Sequence, residues 1–210
     1  MARYTGPVCR LCRRFGDKLM LKGGKCATPQ CPLEKRNAPP GGQRTTRRRR
    51  GVSDRGIQLR EKQKVRFSYG VLERQFRRVF AEARKSPSAT GENLLILLER
   101  RLDNAVYRLG FADSRAQARQ IVQHGHIDVN DRKTDIPSCF VKSGDVIKWR
   151  EISKKTEYYK RVAEEVEEKI IPNWLSLDKE SMTGKVLNSP SKDDIEAGFG
   201  EKAIVEYYSR

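Results

Sequence analysis

Four of the chain's five cysteines stand close together as Cys9-x2-Cys12-x13-Cys26-x4-Cys31. Thiolates are soft ligands, and a Cys-x2-Cys pair presents two sulfurs to one side of a metal ion. The Gly23-Gly24 pair before Cys26, with Pro29 and Pro32, lets the chain fold back to present the other two. The pattern predicts a tetrahedral site whose four positions are all taken by protein, so its role is structural rather than catalytic. Zinc is the expected ion, and a 4Fe-4S iron-sulfur cluster is the alternative, since four thiolates also suit that cofactor. So short a segment, with few apolar side chains, needs a staple to fold. Arg10, Arg13, Arg14 and Lys25 stand among the ligands, where they offset the negative charge of a four-thiolate site while facing outward to phosphate.

Other reactive side chains are sparse. Cys139 lies alone in an apolar stretch and reads as a small buried hydrophobe. His124 and His126 have no ligand partner nearby in sequence and read as polar surface groups. There is no phosphate-binding glycine loop, and two histidines two residues apart offer no acid-base set, so neither an enzyme nor a small-molecule substrate is expected. The N-terminus has no apolar leader and no stretch is long enough for a membrane span, which predicts a soluble protein, cytosolic or organellar, without a membrane partner. In a reducing compartment the cysteines are not expected to pair as disulfides.

Charge points to the partner. The chain carries 44 Lys and Arg against 27 Asp and Glu, a formal net charge of +17. The first 84 residues hold 23 basic and 6 acidic side chains, whereas residues 85 to 210 balance at 21 against 21. Self-repulsion of that size is relieved by a polyanion, most often a nucleic-acid backbone. Residues 100 to 155, with 12 basic against 7 acidic side chains, form a second basic region that the acidic tail conceals.

The elements that must position these cations read as follows. Asn37 to Gln43 is a linker, and Arg44, Arg47, Arg48, Arg49 and Arg50 form an arm kept extended by like charge until bound. A basic helix over 53–68, capped by Ser53, carries Arg60, Lys62, Lys64 and Arg66. After Tyr69-Gly70 a helix from Val71 to Arg84 packs Leu72, Phe76, Val79, Phe80 and Ala83, with Arg74, Arg77 and Arg78 opposite. The next helix opens near Thr90 and presents Leu94, Leu95, Leu98, Leu102, Ala105, Val106 and Leu109 as core. Ser114-Arg115-Ala116-Gln117 reads as a capping box and Gly125 as a stop. In that helix Ala118, Ile121 and Val122 point inward and Arg115, Arg119 and Gln123 outward, so replacing both arginines is expected to weaken nucleic-acid binding with the fold intact. Short strands are expected at 127–130 and 146–149, a charged helix over 154–169, and then a turn-rich tail whose apolar end packs on an earlier helix.

Arg101 to Ala112, then Ser114-Arg115-x2-Ala118-Arg119-Gln120 and His124-Gly125-His126-Ile127-x-Val129-Asn130, resemble the S-four RNA-binding module. Leu59 to Arg66, the helix start from Val71 to Arg77, and Trp174 to Asp178 resemble the bacterial-type family of small-subunit ribosomal protein four. Ala2 to Pro7 with the four cysteines resembles that family's metal-bearing variant. The chain departs from the family at Asn130-Asp131, where glycine commonly follows asparagine, and in the arginine density of residues 43 to 52.

The resemblance implies an α+β, mainly helical fold. It comprises a metal-binding extension over 1–43, a basic arm and helical domain over 44–98 completed by 161–210, and an inserted S-four domain over 99–160. It implies a ribosomal protein that binds 16S ribosomal RNA at a multi-helix junction of the five-prime domain and nucleates 30S assembly. It further implies contacts with ribosomal protein five, other 30S proteins and messenger RNA at the entry side, a part in translational accuracy, and repression of its own messenger. The RNA-facing residues expected are those of the arm and the three basic helices, with His124 and Lys133. Two rivals are weaker. An RNA-modifying enzyme needs a catalytic domain that does not fit, and a zinc-dependent DNA regulator predicts groove-sized base readout rather than cations scattered over several elements.

Overall fold

The computed structural model describes residues 3–36, 38–41, 53–166, 169–195 and 198–209. The chain divides into two compact units, Met1–Glu92 with Ala197–Arg210, and Asn93–Glu196. Helices among the described residues are α1 (Cys9–Phe15), α2 (Gly24–Ala27), α3 (Pro32–Lys35), α4 (Asp54–Ser68), α5 (Glu73–Ala83), α6 (Thr90–Glu99), α7 (Leu102–Arg108), α8 (Arg115–Gln123), α9 (Glu157–Glu165) and α10 (Glu201–Tyr208). Strands are β1 (Ile127–Val129), β2 (Arg132–Lys133), β3 (Val146–Trp149), β4 (Leu175–Asp178) and β5 (Thr183–Val186), and a 3-10 turn spans Glu151–Lys155. The fold is α+β and mainly helical, with one small antiparallel sheet. No helix is long and apolar enough to cross a membrane among the described residues. The arginines of the arm, Arg44, Arg47, Arg48, Arg49 and Arg50, lie outside the described residues.

In the first unit the Ser53 hydroxyl accepts from the backbone N–H of Gly56 at 3.2 Å and starts α4. Gly70, at φ 62°, ends the turn after α4, and α5 begins two residues later than its apolar spacing suggests because Leu72 is extended. Phe76, Val79, Phe80 and Ala83 are buried. The apolar end of the chain, α10, packs on α4, burying Ile204 and setting the Tyr208 ring 4.5 Å from Phe80.

The division expected at residue 161 falls at 196/197 instead, because β4 and β5 hydrogen-bond onto the second unit. There the strand order is β2-β1-β3-β5-β4, with Ile127 opposite Trp149, and Ile147 opposite Gly184. β4 and β5 were hidden by the turn-forming residues around them. Asn130 and Asp131 both adopt left-handed φ, 50° and 62°, as a two-residue type I′ hairpin requires, so aspartate fills the place commonly held by glycine. The Asn130 side chain holds the turn through Val146 N at 2.9 Å and Asp145 at 2.8 Å. The expected helix over 154–169 divides into the 3-10 turn and α9, where Thr156 caps by accepting from Tyr159 N at 3.3 Å.

The helix expected to continue from Thr90 to Leu109 breaks at Arg100-Arg101. Arg101 is extended and bridges Phe140, while Leu102 N donates to Cys139 O at 2.8 Å and Asp103 N to Pro137 O at 3.1 Å. Cys139 is exposed rather than buried, because it lies in the connection whose backbone, not its side chain, meets α7. The core of this unit joins Leu109, Phe111, Ile121, Ile127, Trp149, Val162 and Trp174.

Gly184 shows how tight that core is. A Cβ there would meet Leu109 Cδ1 and come within 2.6 Å of its Cδ2, and Leu109 has no exposed surface. Gly184→Ala is expected to cost about 1–3 kcal/mol by overpacking, read as a lowered midpoint in denaturant melts.

Candidate nucleic-acid interface

The cysteine segment is organised by short helices. α1 carries Cys9 and Cys12 one turn apart, Cys26 lies within α2, and Cys31 precedes Pro32 at the start of α3. All four line one small cavity of about 10 Å3, together with Val8, Leu21 and Lys25 among others. Lys22 N donates to Cys26 Sγ at 3.3 Å. Burial pushes the Cys12 thiol above its ordinary value, the backbone of Leu19 opposes this, and the other three sulfurs add to it. All four are free thiols, and no three His, Cys, Asp or Glu side chains among the described residues are gathered so as to hold a metal ion. The segment has a small apolar core besides, in which Leu11, Phe15 and Leu19 pack with Phe67 of α4. Arg13, expected to face phosphate, is instead half-buried and donates to the carbonyls of Arg36 at 3.1 Å and Ala38 at 2.9 Å.

The basic residues of α4 part company. Arg60 is exposed on the helix but reaches the Phe15 carbonyl. Lys62, with 2 % of its surface exposed, ion-pairs with Glu73 at 2.8 Å and sits 4.9 Å from the centre of the Tyr207 ring. Lys64 bonds the Gly198 carbonyl at 2.7 Å and Asp17 at 3.0 Å. Arg66 stacks 4.2 Å from the Phe67 ring, and its burial lowers the guanidinium's pKa while Glu73 opposes that shift. Lys62, Lys64 and Arg66 were expected on an RNA face. They are turned inward because α10 packs on α4, α1 touches it, and Glu73 at the start of α5 pairs with Lys62 and Arg66. Burial raises the pKa of Glu73, but hydrogen bonds from Lys62 and Tyr208 and the charges of Lys62 and Arg66 outweigh it and hold the group below its ordinary range.

Arg74, Arg77 and Arg78 are exposed on α5, as their spacing requires. Near them Arg55, Arg77 and Arg84 ring a cavity of about 410 Å3 floored by Phe80, Tyr207 and Tyr208. Arg55, Arg84 and the two tyrosines carried no signal of this in the sequence, since they lie far apart and meet only when α10 returns.

In the second unit the expected outward face of α8 is corrected. Arg115 and Arg119 are buried, at 7 % and 3 % exposure. Arg115 Nε donates to Asn104 Oδ1 at 2.7 Å, and Arg119 lies 3.7 Å from Asp103. Arg101 clasps Asp103 with two hydrogen bonds, at 3.0 and 2.7 Å. Glu99, which has no exposed surface, accepts from Arg108 at 2.9 and 3.1 Å and from Asn104 at 2.5 Å. These carboxylates precede or open α7, so α8 must bring its arginines to them rather than to solvent. The capping box is also displaced: Ser114 caps Gln117 N at 3.3 Å, but the Gln117 carboxamide reaches back to Asp113 N at 3.0 Å. His124 and Lys133 are exposed and Gln123 is half-buried.

Residues 3–99 match the family described as ribosomal protein S4/S9 N-terminal domain, and residues 100–147 match the S4 domain. The chain is 59% identical over its whole length, and that of its relative, to small ribosomal subunit protein uS4 of Dehalococcoides mccartyi. It is 54% identical to the uS4 of Halothermothrix orenii and 55% to the uS4A of Symbiobacterium thermophilum, again with full coverage of both chains. The chain belongs to the ribosomal protein S4 family.

The two family matches meet between residues 99 and 100, at the break between α6 and α7. The S4-family module of this chain therefore opens beside its buried ion pairs. Removing one member of a buried pair strands its partners. Glu99→Gln is expected to destabilise the second unit by about 3–5 kcal/mol, measured by urea unfolding, and Arg115→Ala with Arg119→Ala to unfold it rather than to act on RNA alone.

Proposed function

We propose that this S4-family chain is a structural, non-enzymatic constituent of the small ribosomal subunit that binds 16S ribosomal RNA beside other 30S proteins. The observation that carries this reading is full-length identity above half to proteins so named, over both family domains. The exposed cations of α5, the arm, Arg60 and Lys133 are the proposed contacts to phosphate, and His124 is a proposed RNA contact. They are spread over several elements, as recognition of an RNA junction by shape requires. We assign the finer roles to the same surface: binding a multi-helix junction of the five-prime domain, nucleating 30S assembly, meeting ribosomal protein five and messenger RNA at the entry side, and supporting decoding accuracy. Repression of its own messenger would use the same RNA-binding surface.

Zinc at Cys9, Cys12, Cys26 and Cys31 is part of the proposal. It is supported by four free thiols around one small cavity and by a donor set that suits a soft-ligand ion. Bound there, zinc would hold the four sulfurs as thiolates and tie α1, α2 and α3 together; an iron-sulfur cluster is the alternative for the same ligands.

Binding should be electrostatic. Replacing Arg74, Arg77 and Arg78 together by Ala is expected to lower the slope of log affinity against log salt by up to about three, and deleting residues 1 to 50 to flatten it further. An unchanged slope in filter-binding assays would remove these residues from the interface. Elemental analysis of purified protein is expected to find one zinc per chain, and chelation to lower the thermal midpoint of the first unit; iron in place of zinc would select the cluster.

A further inference from the structure

The second unit holds a pocket unlike the rest of this basic molecule. It encloses about 260 Å3, slightly below the range of drug-sized sites of roughly 300–1,000 Å3. None of the residues that line it carries a carboxylate, ammonium or guanidinium group. Gln117 and Gln120 stand one turn apart on α8, and His124 closes that helix. His126, Trp149 and Tyr158 complete the aromatic part, with the His126 ring centre 6.4 Å from that of Trp149 and Trp149 6.1 Å from Tyr158.

The polar groups there are sorted by use. Tyr158 spends its hydroxyl on the Phe111 carbonyl at 3.1 Å, and His126 Nδ1 is fixed to Ser153 Oγ at 2.9 Å. Burial, then His124 and Arg150, push the His126 imidazole below its usual pKa, so it is neutral at physiological pH. The Gln117 carboxamide accepts from Asp113 N at 3.0 Å, which leaves its NH2 as a donor. Gln120 is exposed and its carboxamide bonds to no other residue among the described residues. The indole Nε1 of Trp149 is likewise buried without an acceptor from the described residues. Cations flank the pocket without lining it: Lys133 packs over Gly125, Arg150 donates to the Gly125 carbonyl at 3.3 Å, and the Arg161 guanidinium lies 5.1 Å from the centre of the Tyr158 ring.

A phosphate would find no charge inside such a pocket, whereas a flat, uncharged ring with donors and acceptors on its edge finds amides and an imidazole beside aromatic rings. Proteins read unpaired RNA by this combination, stacking a splayed base on an aromatic or histidine ring and bonding its edge. We propose that the pocket receives one unstacked adenine or cytosine of the bound RNA, stacked on His124, with Gln120 supplying a donor and an acceptor to its amino and ring-nitrogen edge. Lys133 and Arg150 at the border are placed for that nucleotide's phosphate. The proposal rests on the RNA-binding reading above.

The test uses the full chain and a transcript of the 16S five-prime domain, probed with hydroxyl radicals for backbone contact and dimethyl sulfate for the adenine N1 and cytosine N3 edges. Gln120→Ala with His124→Ala alters only exposed side chains, and a thermal melt confirms that the fold is kept. The wild-type protein should shield one adenine or cytosine that the double variant leaves reactive, with the radical footprint unchanged. Affinity should fall roughly ten-fold with the same salt slope, since stacking is lost and no phosphate contact is. A radical footprint with no pocket-dependent base protection overturns the base pocket alone. Absence of any wild-type footprint overturns the RNA-binding reading and the pocket with it.

Discussion

Glu99 has no exposed surface, so its charge must be neutralised by the fold itself. The cost of burying an ion is recovered only with close counterions and full hydrogen bonding. Arg108, Arg115 and Asn104 supply both, and a second carboxylate, Asp103, gathers Arg101 and Arg119. The arrangement explains three features at once: α6 stops at Glu99, Arg101 is extended so that it can turn inward, and α8 lies with its arginine face against α7. The S4-family module is thus organised about charge as much as about its apolar core.

The first unit obeys a similar condition on a smaller scale. Glu73 draws in Lys62 and the Tyr208 hydroxyl, and burial with that bond raises the tyrosine's pKa so that it stays a donor. Basic residues therefore fall into two populations. One is internal, neutralising buried carboxylates or tying backbone carbonyls. The other, on α5 and at the β1–β2 hairpin, has few carboxylates to answer and is available to a polyanion. A count of positive charge measures their sum and does not separate the two.

Much of the fold was legible in the residues. Ser53, Ser114, Gly70 and Gly125 marked helix ends, and the apolar spacing of Phe76, Val79, Phe80 and Ala83 identified the buried face of α5. The α8 pattern also identified Ala118, Ile121 and Val122 correctly. It failed at Arg115 and Arg119, because helical periodicity says which residues share a face and not whether that face meets water or a buried carboxylate. β4 and β5 were missed for a related reason: Leu175–Asp178 gains its strand character from pairing with β5, and β5 from lying between β3 and β4, which no local pattern records. The break at Arg100-Arg101 was invisible to apolar spacing, which continues through it.

Composition, motif spacing and family pattern alone determined that this is a basic, mainly helical S4-family chain with four clustered cysteines, since charge, caps and apolar period are local properties. Tertiary structure decided which cations are counterions and which remain outside. It also brought Gln117, Gln120 and His124 together with Trp149 and Tyr158 in an uncharged pocket. The reason is that burial is set by what lies opposite a side chain, and the residues opposite are supplied by parts of the chain far away in sequence.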